Sequence, residues 1–277
     1  MQCKLLKNVE QFKIDYELLT IKELCEKHSI KNHKTIWRYA KTLGINRPKG
    51  SKRKYQVDDS FFSKVENPNM YYVLGLIYTD GNLPKGNSNS FIISNIDKML
   101  LEEIKKEMSY TGSITTEVHN KHNKTIYKLQ ITSEQIRKDL EKFGLTPNKT
   151  FTVEFPNIPK EYMRDFVRGL WDGDGSVSVP LSKQKTKLLL KCSFVSANYE
   201  FINQLLKVLP VTKKKNIYTR IRKNALYDIC FRGFDSLRIK DFIYYDNCLC
   251  MKRKKDLFFS YLPRRSENTI GNPTNED

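Results

Sequence analysis

Two acidic residues stand at matching places in two matching stretches. The first is Val73-Leu74-Gly75-Leu76-Ile77-Tyr78-Thr79-Asp80-Gly81. The second is Val167-Arg168-Gly169-Leu170-Trp171-Asp172-Gly173-Asp174-Gly175. In each, an apolar segment closes on Asp-Gly. Gly75 and Thr79 are four residues apart, as are Gly169 and Gly173, and positions i and i+4 share a helix face. Small residues on such a face let two helix backbones approach closely. If the two helices pack in parallel there, their C-terminal ends meet and Asp80 and Asp174 become neighbours. That pairing is electrostatically poor by itself. The carboxylates repel, both lie at negative ends of helix dipoles, and one would tend to keep its proton. A divalent cation removes the cost. Carboxylates with backbone carbonyls suit Mg²⁺, with Mn²⁺ as a substitute. Beside a basic surface, such a metal points to phosphodiester hydrolysis, because it activates water and stabilises the leaving oxygen. A lone Asp-Gly is better read as a helix-ending turn. Two copies in a repeated unit weigh against that.

The elements that must position these acids also repeat. Asp80 and Asp174 are 94 residues apart, and the segments after them recur at a similar offset. "SFIISNIDKMLLEEIKKEM" (90–108) matches "KCSFVSANYEFINQLLKVL" (191–209), each a short strand and an amphipathic helix. "TIYKLQITSEQIRKDLEKFG" (125–144) matches "ALYDICFRGFDSLRIKDFIYY" (225–245), again strand then helix. Such a period implies a duplicated unit. Each copy reads helix, two strands, helix, two strands, helix, so the fold class is α+β, with tandem pseudo-twofold αββαββα units. The first unit is expected over 70–155 and the second over 156–262, with a disordered tail over 263–277.

Upstream, residues 18–46 read as helix, turn and helix. Thr20 can cap the first helix, with Glu23 completing a capping box. The second is expected from about His33 to Leu43. Ile36, Tyr39, Ala40 and Leu43 point inward, and Lys34, Arg38 and Lys41 point outward, with Trp37 nearby. This pattern fits a small all-α, helix-turn-helix-like DNA-binding segment over 1–46, or an ordinary αα-hairpin. Residues 47–69 are expected as a basic linker, with Arg53 among its phosphate-contacting residues.

Composition narrows the partner. The chain has 277 residues, a formal net charge of +18, 39% hydrophobic and 12% aromatic residues. That charge implies a polyanion, nucleic acid before an anionic membrane. No apolar run reaches membrane-spanning length, and the N-terminus lacks the apolar core of a secretory signal. The six scattered cysteines form no C-x-x-C, so reduced thiols are expected rather than zinc.

The two nonapeptides resemble the motif of the LAGLIDADG homing endonucleases, in their single-chain, two-motif form. The resemblance covers roughly residues 70–260. The second motif is close; the first departs at Leu74, Tyr78 and Thr79. What the resemblance implies is a LAGLIDADG homing endonuclease fold, with Asp80 and Asp174 as the metal-binding acids and backbone carbonyls of Thr79 and Gly173 as further ligands. Tyr78 stands where the second motif has Asp172, which argues that Asp172 is not a ligand. The resemblance also implies a basic residue after each unit's last helix, Lys149 in the first and Lys252 in the second, with Arg253 as a register alternative. A water-orienting polar residue is implied at Asn95. Its second-unit match falls on Ala197, or on Asn198 if the register slips. DNA would be read by strand residues including Ser176, Ser178, Gln184, Lys187, Arg220 and Arg222, with Ser182, Tyr218 and Asn224 outward as well. The implied function is a site-specific double-strand DNA endonuclease, acting as a monomer on a long asymmetric site, in the cytoplasm of a bacterial or phage-infected cell or in an organelle matrix. Two alternatives remain: an RNA maturase that binds intron RNA, and a non-catalytic helix-turn-helix regulator.

Overall fold

The structure, a computed structural model, describes residues 8–46, 54–86, 88–119, 124–149, 152–181, 188–212, 216–221 and 225–261. The chain divides into two compact units, Met1–Gln56 and Val57–Asp277.

The N-terminal unit holds three helices, α1 (Val9–Leu18), α2 (Ile21–Lys27) and α3 (His33–Thr42). α2 carries the expected capping box: Thr20 Oγ1 accepts from Glu23 N at 3.2 Å and the Glu23 carboxylate accepts from Thr20 N at 2.7 Å. Phe12, Tyr16, Leu24, Ile36 and Ala40 form a small core. The sequence reading missed α1. Its apolar residues are sparse, yet Phe12 is fully buried and stacks edge-on against Tyr39 at 4.8 Å between ring centroids.

The C-terminal unit begins at Val57, ahead of the start at residue 70 expected for the first repeat. Residues 57–69 were read as the end of a linker, but Phe61 and Phe62 lie in its core, because two adjacent phenylalanines bury more area than a solvated linker can leave exposed. Then come α4 (Pro68–Asp80), β1 (Gly81–Asn82), β2 (Ser90–Asn95), α5 (Lys98–Glu107), β3 (Thr115–His119), β4 (Lys124–Thr132) and α6 (Glu134–Lys142). The pattern repeats as α7 (Met163–Asp174), β5 (Ser176–Ser178), β6 (Lys191–Ser196), α8 (Tyr199–Val208), β7 (Tyr218–Ile221), β8 (Ala225–Arg232) and α9 (Phe234–Ile243), followed by one further helix, α10 (Lys252–Phe259). The expected αββαββα order is present twice. Both sheets are antiparallel with equivalent strand orders, β1-β2-β4-β3 and β5-β6-β8-β7. Each buries one face: Phe91 and Ile93 with Ile131 and Leu129 in the first, Cys192 and Phe194 with Phe231 and Ile229 in the second.

α4 and α7 run parallel through the middle of this unit. Asn67 caps α4, and Pro68 occupies its first turn, where a missing N–H costs nothing. The two helices touch backbone to backbone. A Cβ on Gly75 would stand 2.1 Å from the Phe166 carbonyl oxygen, and one on Gly169 would stand 2.1 Å from that of Tyr72. One turn on, a Cβ at Gly173 would fall 1.8 Å from Thr79 Oγ1. No other residue type fits at these three positions without moving a helix. Among the described residues, no helix is long and apolar enough to cross a membrane.

Candidate active site and its flanking faces

Asp80 and Asp174 are the last residues of α4 and α7, so the parallel packing brings both carboxylates to one end of the helix pair. Two clefts flank that end, and each mixes the motifs. Asp80 lines one of about 250 Å³ with Asn95, Gly173, Met251 and Arg253. Asp174 lines the other, about 80 Å³, with Thr79, Lys149, Ser196 and Ala197. The acid of each motif thus shares its cleft with the residue that precedes the other acid.

The electrostatics follow from this placement. Burial pushes the Asp80 carboxyl up to about 6, and the charge of Asp174 adds to the rise. Asn95 opposes it by donating Nδ2–H to Asp80 Oδ2 at 2.5 Å. Asp174 is open to solvent but set low among surrounding atoms, and burial raises its pKa against the pull of Lys254 and Lys149.

Two buried lysines answer the negative helix ends. Lys149 donates to the Gly81 carbonyl just past α4. Lys254 is the counterpart at α7. Its Nζ donates to the carbonyls of Trp171 (3.0 Å), Asp172 (2.7 Å), Gly173 (3.0 Å) and Gly175 (2.6 Å). Burial lowers both lysines, Lys254 to about 8, while the nearby carboxylates hold them up. The resemblance puts the second repeat's phosphate-stabilising basic residue at Lys252, with Arg253 as a register alternative. Lys252 opens α10 and is exposed, whereas Lys254 shares a buried face with Phe258 four residues on. Arg253 is exposed and lines the Asp80 cleft.

The second-unit match to Asn95 also changes. Asn95 pairs with Tyr127 and ends β2, and Ser196 pairs with Tyr227 and ends β6. Asn95 Oδ1 accepts from Asp97 N at 2.9 Å, and Ser196 Oγ accepts from Asn198 N at 3.1 Å. Ser196 is therefore the equivalent position. Ala197 lines the same cleft, and Asn198 instead caps α8 through Phe201 N at 3.1 Å and donates to the Val153 carbonyl at 2.9 Å.

Asp172 is fully buried and lines neither cleft. It accepts from Tyr72 Oη (2.9 Å), Tyr244 Oη (2.8 Å) and Met251 N (2.6 Å). Burial raises it to about 6 while those donors hold it down. One turn earlier, Arg168 donates to the carbonyls of Leu249 (2.8 Å) and Ile243 (3.0 Å). Together they bind the segment that leads into α10.

The donor set fits a hard divalent cation. Two carboxylates close enough to perturb one another stand beside backbone carbonyls at two helix ends, all oxygen. Among the described residues there is no group of three or more His, Cys, Asp or Glu side chains, so any cation here would complete its shell with carbonyls and water. Asp80 and Asp174 would supply the charge. The carbonyl of Gly173 is engaged by Lys254 and keeps one lone pair.

Residues 161–239, from just before α7 into α9, match the LAGLIDADG-like domain. Among curated proteins, uncharacterized protein MJ0398 of Methanocaldococcus jannaschii is 27% identical over 198 residues, 64% of this chain and 66% of that protein. The DNA-directed RNA polymerase subunit Rpo1C of the same organism is 29% identical over 110 residues, 39% of this chain, and the chain spans only 12% of that subunit. Among solved structures, the meganuclease I-SmaMI bound to uncleavable DNA with a TTGT central four aligns with a TM-score of 0.50 at 17% identity. The match covers 70% of this chain and 88% of that one, and it is a likeness of fold.

The LAGLIDADG-like sheet β5–β8 turns its second face outward. Ser176 and Ser178 pair with Ser193 and Lys191 on that face, and Arg232, Tyr218 and Arg220 lie on it too. Lys191, Ser193, Tyr218, Arg220 and Arg232 line an open concavity of about 390 Å³. Arg220 is ion-paired with Asp228. The period-2 run pointed to Ser176, Ser178, Tyr218 and Arg220. It overlooked Lys191 and Arg232, although both alternate with buried Cys192 and Phe231. In the N-terminal unit Lys34, Arg38 and Lys41 are exposed on α3, as expected. Arg53, Ser182, Gln184, Lys187, Arg222 and Asn224 lie outside the described residues.

Proposed function

We propose that this chain is a site-specific double-strand DNA endonuclease. The observation that carries the reading is the crossed pair of clefts, each combining the acid of one helix with the penultimate residue of the other. A single-purpose helix end has no reason to be built twice, in register, with a carboxylate at each. Asp80 and Asp174 would hold Mg²⁺, with Thr79 and Gly173 supplying carbonyl oxygens. Bound there, the metal would supply Lewis acidity and an activated water for phosphodiester hydrolysis. The chain's own residues do the rest. Asn95 fixes the Asp80 carboxylate in one orientation. Arg253, exposed in the Asp80 cleft, and Lys149, beside Asp174, offer positive charge to the phosphate as it gains negative charge. Lys254 holds the C-terminal turn of α7 in shape. The two cleft sets lie on one polypeptide, so the acting form is a monomer and its halves can read unlike sequences. Ser176, Ser178, Lys191, Arg220 and Arg232 on the outward sheet face meet the major groove. Arginines there suit guanine edges, and lysines suit phosphates.

The test is Mg²⁺-dependent cleavage of a plasmid library by the wild type, Asp80→Asn and Asp174→Asn. Wild type should linearise a subset of plasmids and each variant should lose linear product. A wild type that cuts nothing, or variants that cut normally, would end the nuclease reading.

A further inference from the structure

The N-terminal unit carries a surface that the cleavage chemistry does not use. Residues 27–57 contain ten lysines and arginines and no aspartate or glutamate. α3 sits in the middle of this run. Its inner face, Ile36 and Ala40 with Tyr39 and Leu43, packs against α1 and α2. Its outer face presents Lys34, Trp37, Arg38 and Lys41 at positions i, i+3, i+4 and i+7, one continuous stripe. Trp37 is 62% exposed. The chain's other tryptophan, Trp171, is fully buried. The buried acid of this unit, Asp15, is turned inward and held by Lys27 at 2.7 Å and His28 at 3.0 Å, so it does not offset the stripe. α3 has no acidic residue of its own.

We infer that α3 enters the major groove of duplex DNA, with Trp37 making the apolar contact to base edges and Lys34, Arg38 and Lys41 neutralising phosphates. An α-helix fits the roughly 12 Å wide major groove of B-DNA, and a side chain with apolar surface there meets thymine methyl groups. The deep, narrow groove of A-form RNA does not admit it. This surface is a second DNA contact, separate from the sheet faces, and it stands whether or not the chain cuts.

The chain's two tryptophans make the inference directly measurable. The full chain is held in EDTA, where no metal-dependent cutting occurs, and titrated with a random-sequence duplex. Acrylamide should quench the exposed Trp37 in the free protein and lose access to it at duplex saturation. Trp37→Phe should remove the accessible emission and leave that of Trp171, which assigns the signal. Trp37→Ala should weaken duplex binding about tenfold, the value of one base contact. Replacing Lys34, Arg38 and Lys41 together by alanine should reduce the salt-dependence slope by roughly 2.7, for three phosphates. The inference is overturned if Trp37 stays open to acrylamide on saturating duplex, if no duplex binds, if Trp37→Ala binds as tightly as wild type, or if single-stranded RNA protects Trp37 and duplex does not. Loss of cleavage activity alone bears only on the nuclease reading.

Discussion

Tyr78 and Asp172 occupy the same turn of two equivalent helices and clamp equivalent segments with opposite chemistry. Tyr78 donates its hydroxyl to the Phe143 carbonyl, at the head of the stretch that delivers Lys149. Asp172 accepts from Tyr244 and Met251, at the two ends of the stretch that delivers Lys254. A donor in one half and an acceptor in the other hold the two buried lysines at their helix ends. Asp172→Ala would leave two hydroxyls and one N–H without a partner in the core, and should destabilise the chain by about 3–5 kcal/mol. Tyr78→Phe removes one donor and should cost about 1–2 kcal/mol. Urea denaturation without metal measures both, and equal losses would refute the clamp.

Gly169→Ala places a methyl 2.1 Å from the Tyr72 carbonyl oxygen. The obstacle is backbone, so one helix must shift. The expected cost is about 1–3 kcal/mol or more, in the range of core overpacking, together with loss of cleavage. Gly44→Ala is the comparison, since no atom lies within 4 Å of a Cβ there. Its strain comes from a φ of +66° alone, so it should spare cleavage.

Asp80 and Asp172 both have folded pKa values of about 6 against an ordinary 3.8. Folding therefore tightens proton binding at both, and the resulting stability is complete below about pH 4 and lost as pH rises through 6. In EDTA, lowering the pH from 7 to 5 should raise the urea midpoint of the wild type more than that of Asp80→Asn, a comparison that cancels the opposing loss at Cys248, whose thiol the Cys250 contact holds down to about 5. The carboxylates held below their ordinary value, Asp15, Asp58 and Asp139, titrate beneath that window. Asp80→Asn should raise stability at pH 7 and flatten the slope, leaving the shares of Asp172 and of the other raised carboxylates, Asp174 and Glu103. Mg²⁺ should raise the wild-type midpoint at pH 7 and leave Asp80→Asn unchanged.

Lys254→Met removes a cation from four carbonyls at the end of α7. It should lower the thermal midpoint and reduce cleavage, while Lys252→Met, at an exposed position, should do neither. Parallel melting curves and nicking assays distinguish the two lysines, and a silent Lys254→Met would remove it from the site.

The duplicated architecture was legible because its signals are local and repeated. Gly75 with Thr79 and Gly169 with Gly173 announced the close helix pair, and the repeated strand-then-helix segments announced the sheets. The failures fall where one residue of register decides. "MKRKK" offers a basic residue at nearly every step, and only the pairing of Lys254 with Phe258 on a buried face selects among them. Ser196 was passed over because the match to Asn95 was set one residue late, at Ala197, whereas strand pairing with Tyr227 fixes it. α1 was missed because a single Phe12 carries most of its packing.

The contact at Gly75 and Gly169 has a consequence for how such a chain could change over time. The closest part of the seam between the halves is peptide backbone, so it demands small residues there, while crossing contacts such as Tyr72 with Asp172 and Tyr78 with Phe166 add a few specific side chains. Each half can accumulate its own sheet-face substitutions while still docking on a half that keeps the small residues and these crossing side chains. The arrangement is modular in the genetic sense: recombination at the connector near residues 152–162, between chains that share the seam residues, is expected to yield folded hybrids, each with a new pair of outward sheet faces.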